Sequence, residues 1–165
     1  MKLAVIDANI FIDLIKLQML SLLFSIDIEI FTTREIIDQL KDSQLEILKE
    51  FIDQGHLNVY LLTEEELEEV VNFSAPLSLD LADKSVAWLS IHIDAMVLSG
   101  DGPLRKFCES KKLEVRGIIW LFDTFLNKQL IIHAHAIEKM KQLLLINSRL
   151  PREECEKRIK EWLKT

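Results

Sequence analysis

The hydrophobic pattern of this chain changes period repeatedly. Leu3-Ala-Val-Ile6 is an unbroken apolar run, as a strand buried on both faces of a parallel sheet requires. Residues 11–24 are so dense in Phe, Ile and Leu that they predict one helix buried over most of its circumference, with Asp13 and Lys16 on its wetter side. Residues 27–31 alternate and end in Thr32-Thr33, predicting a second strand and then a helix over 34–40 capped by Thr33. A helix over 43–54 stops at Gly55, and residues 57–62 form a third short strand. After Pro76 a helical spacing returns toward Ile91, and Ala95-Met-Val-Leu98 is again a wholly apolar strand. A helix over 104–110, a strand over 113–115 and a helix over 118–125 complete the alternation. Helices over 133–146 and 152–164 then make a C-terminal hairpin, with Pro151 suited to a helix start. Alternating strands and helices define an α/β protein.

Composition narrows the class. A chain of 165 residues, 49% hydrophobic, is sized for one compact domain, and four glycines and three prolines leave no room for a flexible linker. Cys108 and Cys155 are far apart and match no disulfide or zinc spacing, so both are expected to be reduced. No signal-peptide pattern opens the chain, and no apolar run approaches the roughly 18–20 residues that span a bilayer. A cytoplasmic protein without membrane attachment is expected. The net charge of −7 speaks against binding nucleic acid through a broadly basic surface. A small basic patch or a bound cation would still reverse the field locally.

Candidate chemistry gathers where strands end. Asp7 follows the first apolar run, Asp101 follows the strand at 95–98, and Glu35, Asp38 and Asp83 fall in the opening turns of helices. In open parallel sheets the carboxyl ends of strands and the first turns of the next helices converge on one crevice. Asp7 taken alone needs no role beyond capping a helix. Several carboxylates at one edge repel one another and call for a cation. Oxygen ligands without a cysteine or histidine set suit Mg²⁺ or Mn²⁺, which activate water and stabilise charge on a phosphoryl group. Metal-assisted hydrolysis of a phosphodiester is the implied reaction. The acidic run at 64–69 behind Thr63 is the composition of a capped, solvated helix, and His56 beside Gly55 is a solvated residue. His133 and His135, two apart, face different sides of a helix and are no ligand pair.

These residues resemble the PIN domains, many of which are ribonucleases and many the toxins of bacterial and archaeal toxin–antitoxin pairs. The resemblance lies in Val5-Ile-Asp7-Ala-Asn9-Ile-Phe11-Ile-Asp13, in residues 77–89 around Asp83, in Val97-Leu-Ser-Gly-Asp101-Gly-Pro-Leu-Arg105-Lys, and in Gly117-Ile-Ile-Trp120-Leu-Phe-Asp123. It implies a three-layer α/β/α fold with a central, mainly parallel sheet over residues 1–127, and a helical extension over 128–165 packed on the same domain. It also implies that Asp7, Asp83 and Asp101 are catalytic and hold Mg²⁺ or Mn²⁺, with Asn9 bracing Asp7 by a hydrogen bond. The family's second acid, which directly precedes the leucine of Arg34-Glu-Ile-Ile-Asp-Gln-Leu40, falls on Gln39. A glutamine offers no charge, so Asp38 is expected as the substitute metal ligand, with Glu35 or Gln39 itself as alternatives.

The resemblance implies an endoribonuclease acting on RNA, a toxin restrained by an antitoxin protein. A binding module for RNA or protein, with a weakened metal site, is the alternative. A phosphotransfer domain is disfavoured, because Asp7-Ala-Asn9 lacks a second aspartate two residues on, and no convincing glycine-rich phosphate loop favours a nucleotide-binding enzyme. The apolar density of residues 11–23 and of the C-terminal hairpin predicts a surface for a homodimer or an antitoxin.

Overall fold

The computed structural model describes residues 1–165. The apolar runs form one five-stranded, wholly parallel sheet: β1 (Lys2–Ile6), β2 (Ile28–Thr33), β3 (Leu57–Tyr60), β4 (Met96–Leu98) and β5 (Val115–Arg116). Their order is β3-β2-β1-β4-β5. Ala4, Val5 and Ile6 are fully buried, which matches the central place of β1.

From β1 the chain steps outward to β2 and β3, then returns to the opposite side of β1 for β4 and β5. The order therefore reverses between β1 and β4, and the carboxyl ends of these two strands border a crevice. Because parallel crossovers are right-handed, connections running in opposite senses lie on opposite faces. The first set holds α1 (Ala8–Lys16), α2 (Leu20–Leu23) and α4 (Asp42–Asp53); the second holds α5 (Glu64–Val71), α6 (Leu81–His92) and α7 (Gly102–Ser110), while α3 (Arg34–Ile37), directly after β2, packs against α6. α6 packs on β1, β2 and β4 and buries Ala82, Val86, Ala87 and Leu89, so its N-terminus is fixed over the crevice.

α8 (Ile118–Asn127) leads to the hairpin of α9 (His133–Ile146) and α10 (Arg152–Leu163). Three contacts attach this hairpin. The Asn147 amide donates to Asp13 Oδ2 at 2.8 Å, Arg158 of α10 holds Asp123 of α8, and Trp162 stacks on Phe122 with centroids 6.1 Å apart. Cys108 and Cys155 are free and buried, and no helix is long and apolar enough to cross a membrane.

The single helix expected over 11–24 is broken. Leu17 closes α1, Gln18 adopts φ +57°, and Met19 N–H donates back to Leu14 O while Gln18 N–H donates to Ile15 O. This pair of bonds ends a helix on a left-handed residue, usually glycine. Asp94, Lys112 and Gln129 occupy the same left-handed position behind α6, α7 and α8; only Gly55, behind α4, is the residue the motif favours. Other boundaries also move: β3 ends at Tyr60, β5 is Val115–Arg116, and α3 is one short turn, with Gln39 and Leu40 continuing it through tighter bonds to Ile36 and Ile37.

Candidate active site

Asp7 directly follows β1, and its backbone N–H donates to Leu98 O on β4 at 3.0 Å, so the sheet ladder itself fixes its place. Its side chain is only 5% exposed. Oδ1 caps α1 by accepting from Ala8 N–H at 2.9 Å, and Oδ2 accepts the Ser99 hydroxyl at 2.7 Å. Burial pushes the Asp7 carboxyl above the usual carboxylate range; the Ser99 and Ala8 bonds oppose that rise, and the charges of Asp101 and Asp80 add to it.

Asp101 caps α7, its Oδ2 accepting Leu104 N–H at 3.0 Å. Its own N–H donates to the Ser99 hydroxyl oxygen at 3.0 Å. Ser99, fully buried behind β4, thus joins the two strand-tip aspartates through one hydroxyl.

The third contribution comes from α6. Asp80 is its N-cap, accepting Asp83 N–H on Oδ1 at 2.8 Å, while Asp80 N–H donates to Asp83 Oδ2 at 3.1 Å. This reciprocal pair is a capping box, with aspartate at both ends. Asp83 is pushed up to about 7, first by burial, with the Asp80 N–H opposing and the charges of Asp80, Asp7 and Asp101 adding to the rise. The Cys108 thiol is pushed up to about 12, first by burial and then by Asp7 and Asp83. The crevice therefore brings Asp7, Asp80, Asp83 and Asp101 into one electrostatic neighbourhood.

The α3 residues divide differently from expectation. Asp38 is exposed and paired with Arg34 at 3.0 Å, and it is not among the charges that act on Asp7 or Asp83. It is spent on a surface pair instead of facing the crevice. Gln39, equally exposed, is the residue that reaches the rim of the crevice, its amide donating to Asp80 Oδ2 at 3.4 Å. Glu35 also stays out of the cluster: burial raises its pKa, and its Oε1 is buried without a hydrogen-bond partner. Asn9 departs as well, because its Oδ1 accepts Gly100 N–H at 3.2 Å. It braces the loop between Ser99 and Asp101, not Asp7 itself.

Sequence reasoning set Asp80 behind Asp83 and missed Ser99. The Asp80-x-x-Asp83 spacing is a capping-box signature that places both aspartates at the start of one helix. For Ser99 the signal was only a small hydroxyl residue at a strand tip.

The donor set is carboxylate oxygen throughout, which suits a hard divalent cation. Asp83 Oδ1 and Asp101 Oδ1 accept no protein hydrogen bond, whereas one oxygen of each is engaged as described. No three His, Cys, Asp or Glu side chains stand close enough together to hold a metal ion directly. Mg²⁺ keeps several of its waters and takes only one or two carboxylates directly, so an open set of this chemistry fits a hydrated ion.

A parallel sheet whose switch-point crevice is lined by carboxylates defines a class of α/β proteins built to hold charge at strand tips. The chain belongs to the PIN-domain family: the DUF3368 family, a PIN domain, matches residues 3–164. That match spans both the sheet and the C-terminal hairpin, and the family commonly has nuclease activity. Among solved structures the chain is similar to a PilT N-terminus domain protein from the hyperthermophilic archaeon Sulfolobus solfataricus P2. The identity is 13%, 72% of this chain and 89% of that chain are covered, and the TM-score is 0.50. It is also similar to a domain of a functionally unknown protein from Methanocaldococcus jannaschii, at 16% identity, with 72% and 91% covered and a TM-score of 0.47. At the first of these identities the likeness is one of fold. No curated protein matches the chain.

Proposed function

We propose that this protein is a divalent-metal-dependent endoribonuclease that hydrolyses RNA phosphodiester bonds. The observation that carries the reading is the gathering of Asp7, Asp83 and Asp101 at the β1/β4 switch point, where burial and mutual repulsion hold Asp7 and Asp83 above the ordinary carboxylate range. Such a cluster is relieved by a cation. Asp83 and Asp101 offer oxygens free of protein hydrogen bonds, and Asp7 retains a lone pair on each oxygen beyond the one it gives to Ala8 or Ser99. Asp80 and Gln39 stand behind Asp83 and keep it oriented. Mg²⁺ or Mn²⁺ held there supplies an activated water and stabilises charge on a phosphoryl oxygen.

The finer reading is the toxin of a toxin–antitoxin pair; an adjoining gene for a small DNA-binding antitoxin is the observation that tests it. A second reading, a PIN-fold binding module that does not cut, is favoured by one feature: the neutral Gln39 where an acid would complete the cluster.

The discriminating measurement is cleavage of labelled RNA against Mg²⁺ and Mn²⁺ concentration for wild type, Asp7→Asn and Gln39→Glu. Cleavage abolished by chelator and by Asp7→Asn supports the nuclease. Cleavage indifferent to both sinks it, and RNA binding without cutting in all three proteins moves the assignment to the binding module.

A further inference from the structure

A cavity of about 740 Å³ opens beside the acidic crevice, and Asn9 and Gly100, the hydrogen-bonded neighbours of Asp7 and Asp101, form part of its wall. The opposite wall is the C-terminal hairpin, through Asn147, Arg149 and Arg158. Lining cations are Lys16, Arg105, Arg116, Arg149 and Arg158, against the acids Asp13, Asp123 and Glu154. Arg158 is engaged by Asp123 and Glu154, and Arg116 by Glu114. Lys16, Arg105 and Arg149 form no ion pair. Lys16 faces Asp13, so Arg105 and Arg149 are the cations without an acidic neighbour in the lining, and in a chain of net charge −7 the five cations against three acids give the cavity a local positive excess.

Arg105 is the best placed. Its Nη1 donates to Ser99 O at 2.7 Å, and Gly117 leaves room for it, since a Cβ there would come within 3.1 Å of that nitrogen. The guanidinium is therefore held against the residue that joins Asp7 to Asp101, with its other N–H groups free of any carboxylate. Trp120, half-buried, adds an aromatic surface to the same cavity.

We infer that this cavity seats an unpaired nucleotide of single-stranded RNA next to the scissile phosphate, with Arg105 and Arg149 on phosphate oxygens and Trp120 against the base. The assignment rests on the nuclease reading. Arginine is suited to phosphate by its forked donors, and base-on-aromatic stacking is the common means of holding unpaired bases. A duplex keeps its bases stacked and offers none to such a cavity. Lys16, at the end of α1, supports the phosphate charge from the remaining side.

The test is fluorescence anisotropy with a fluorescein-labelled single-stranded oligoribonucleotide, and with a duplex of equal length, in Ca²⁺ to allow binding apart from turnover. Wild type should prefer the single strand. Trp120→Leu and Arg149→Ala should each weaken it about 5- to 100-fold, and Arg149→Ala should also flatten the salt dependence. Lys157→Ala, exposed on α10 away from the cavity, should change nothing. Arg149 is exposed on a turn, so its variant keeps the test valid even where Trp120→Leu folds poorly. Unchanged binding in Trp120→Leu and Arg149→Ala, a preference for duplex, or binding of oligoglutamate in place of RNA would overturn the assignment. Binding that needs these residues in a wild type that never cuts with Mn²⁺ leaves the cavity assigned and removes the nuclease.

Discussion

The Ser99 hydroxyl donates to Asp7 Oδ2 at 2.7 Å and accepts the Asp101 backbone N–H at 3.0 Å, so one buried oxygen sets the spacing of two strand-tip acids. Ser99→Ala leaves both groups without that partner. A buried polar group so stripped costs about 1–3 kcal/mol. The Asp7 carboxyl should rise further, because the lost bond is one that holds it down. Thermal unfolding should show the destabilisation, and calorimetric titration should show weaker Mn²⁺ binding than wild type.

The acidity of Asp83 makes cation-free stability depend on pH. With its folded pKa raised to about 7, the folded protein keeps a proton that the unfolded chain releases near the ordinary aspartate value. Stability should therefore fall as pH rises from about 4 through about 7. Thermal midpoints across that window should show the slope, and Asp83→Asn should flatten it. Added Mg²⁺ should raise the midpoint most at the alkaline end, where the carboxylate is charged and needs a counter-ion.

Gln39 and Asp38 separate the two accounts of the missing acid. Gln39→Glu places a charge against Asp80, so the cation-free protein should lose stability while Mn²⁺ binds more tightly, on the order of tenfold. Asp38→Ala removes only an exposed i,i+4 pair with Arg34 and should leave ion binding within error of wild type. A large loss of Mn²⁺ affinity in Asp38→Ala would contradict this placement.

Arg158→Ala should loosen the C-terminal hairpin. It deletes the bonds to Asp123 that tie α10 to α8, in a partly buried setting where a charged hydrogen bond contributes about 1.5–3 kcal/mol, along with an i,i+4 pair to Glu154 within α10. Hydrogen exchange should speed up in α10 before it does in β1. Equal protection in both elements would mean that the hairpin docks mainly through Trp162 on Phe122.

The strand tips were legible because unbroken apolar runs ending in a lone carboxylate have few alternatives, and Asp7 and Asp101 lie where those runs predict. The break at Gln18 was hidden because a helix stop without glycine carries no composition signal, and Leu17 and Met19 on either side are fully apolar. The contact of Gln39, not Asp38, with Asp80 depends on α3 ending after one turn and tightening, which shifts the face each residue presents. The cavity beside the crevice was beyond reach for another reason. Its walls come from residues as distant as Asp13 and Asn147, and no local spacing reports such a meeting.

Asp7, Asp80 and Asp101 each cap a helix, at the starts of α1, α6 and α7, so the acids that crowd the crevice also rest on backbone N–H groups at the positive ends of helices. The architecture thereby carries its own partial counter-charge and does not lean on an ion to stand. Chelation should silence the site while leaving the protein folded and long-lived, unlike a zinc finger, which collapses without its metal. On the proposed nuclease reading, cellular Mg²⁺ would then act chiefly as a throttle on turnover, with a dormant but intact molecule ready to restart when the ion returns.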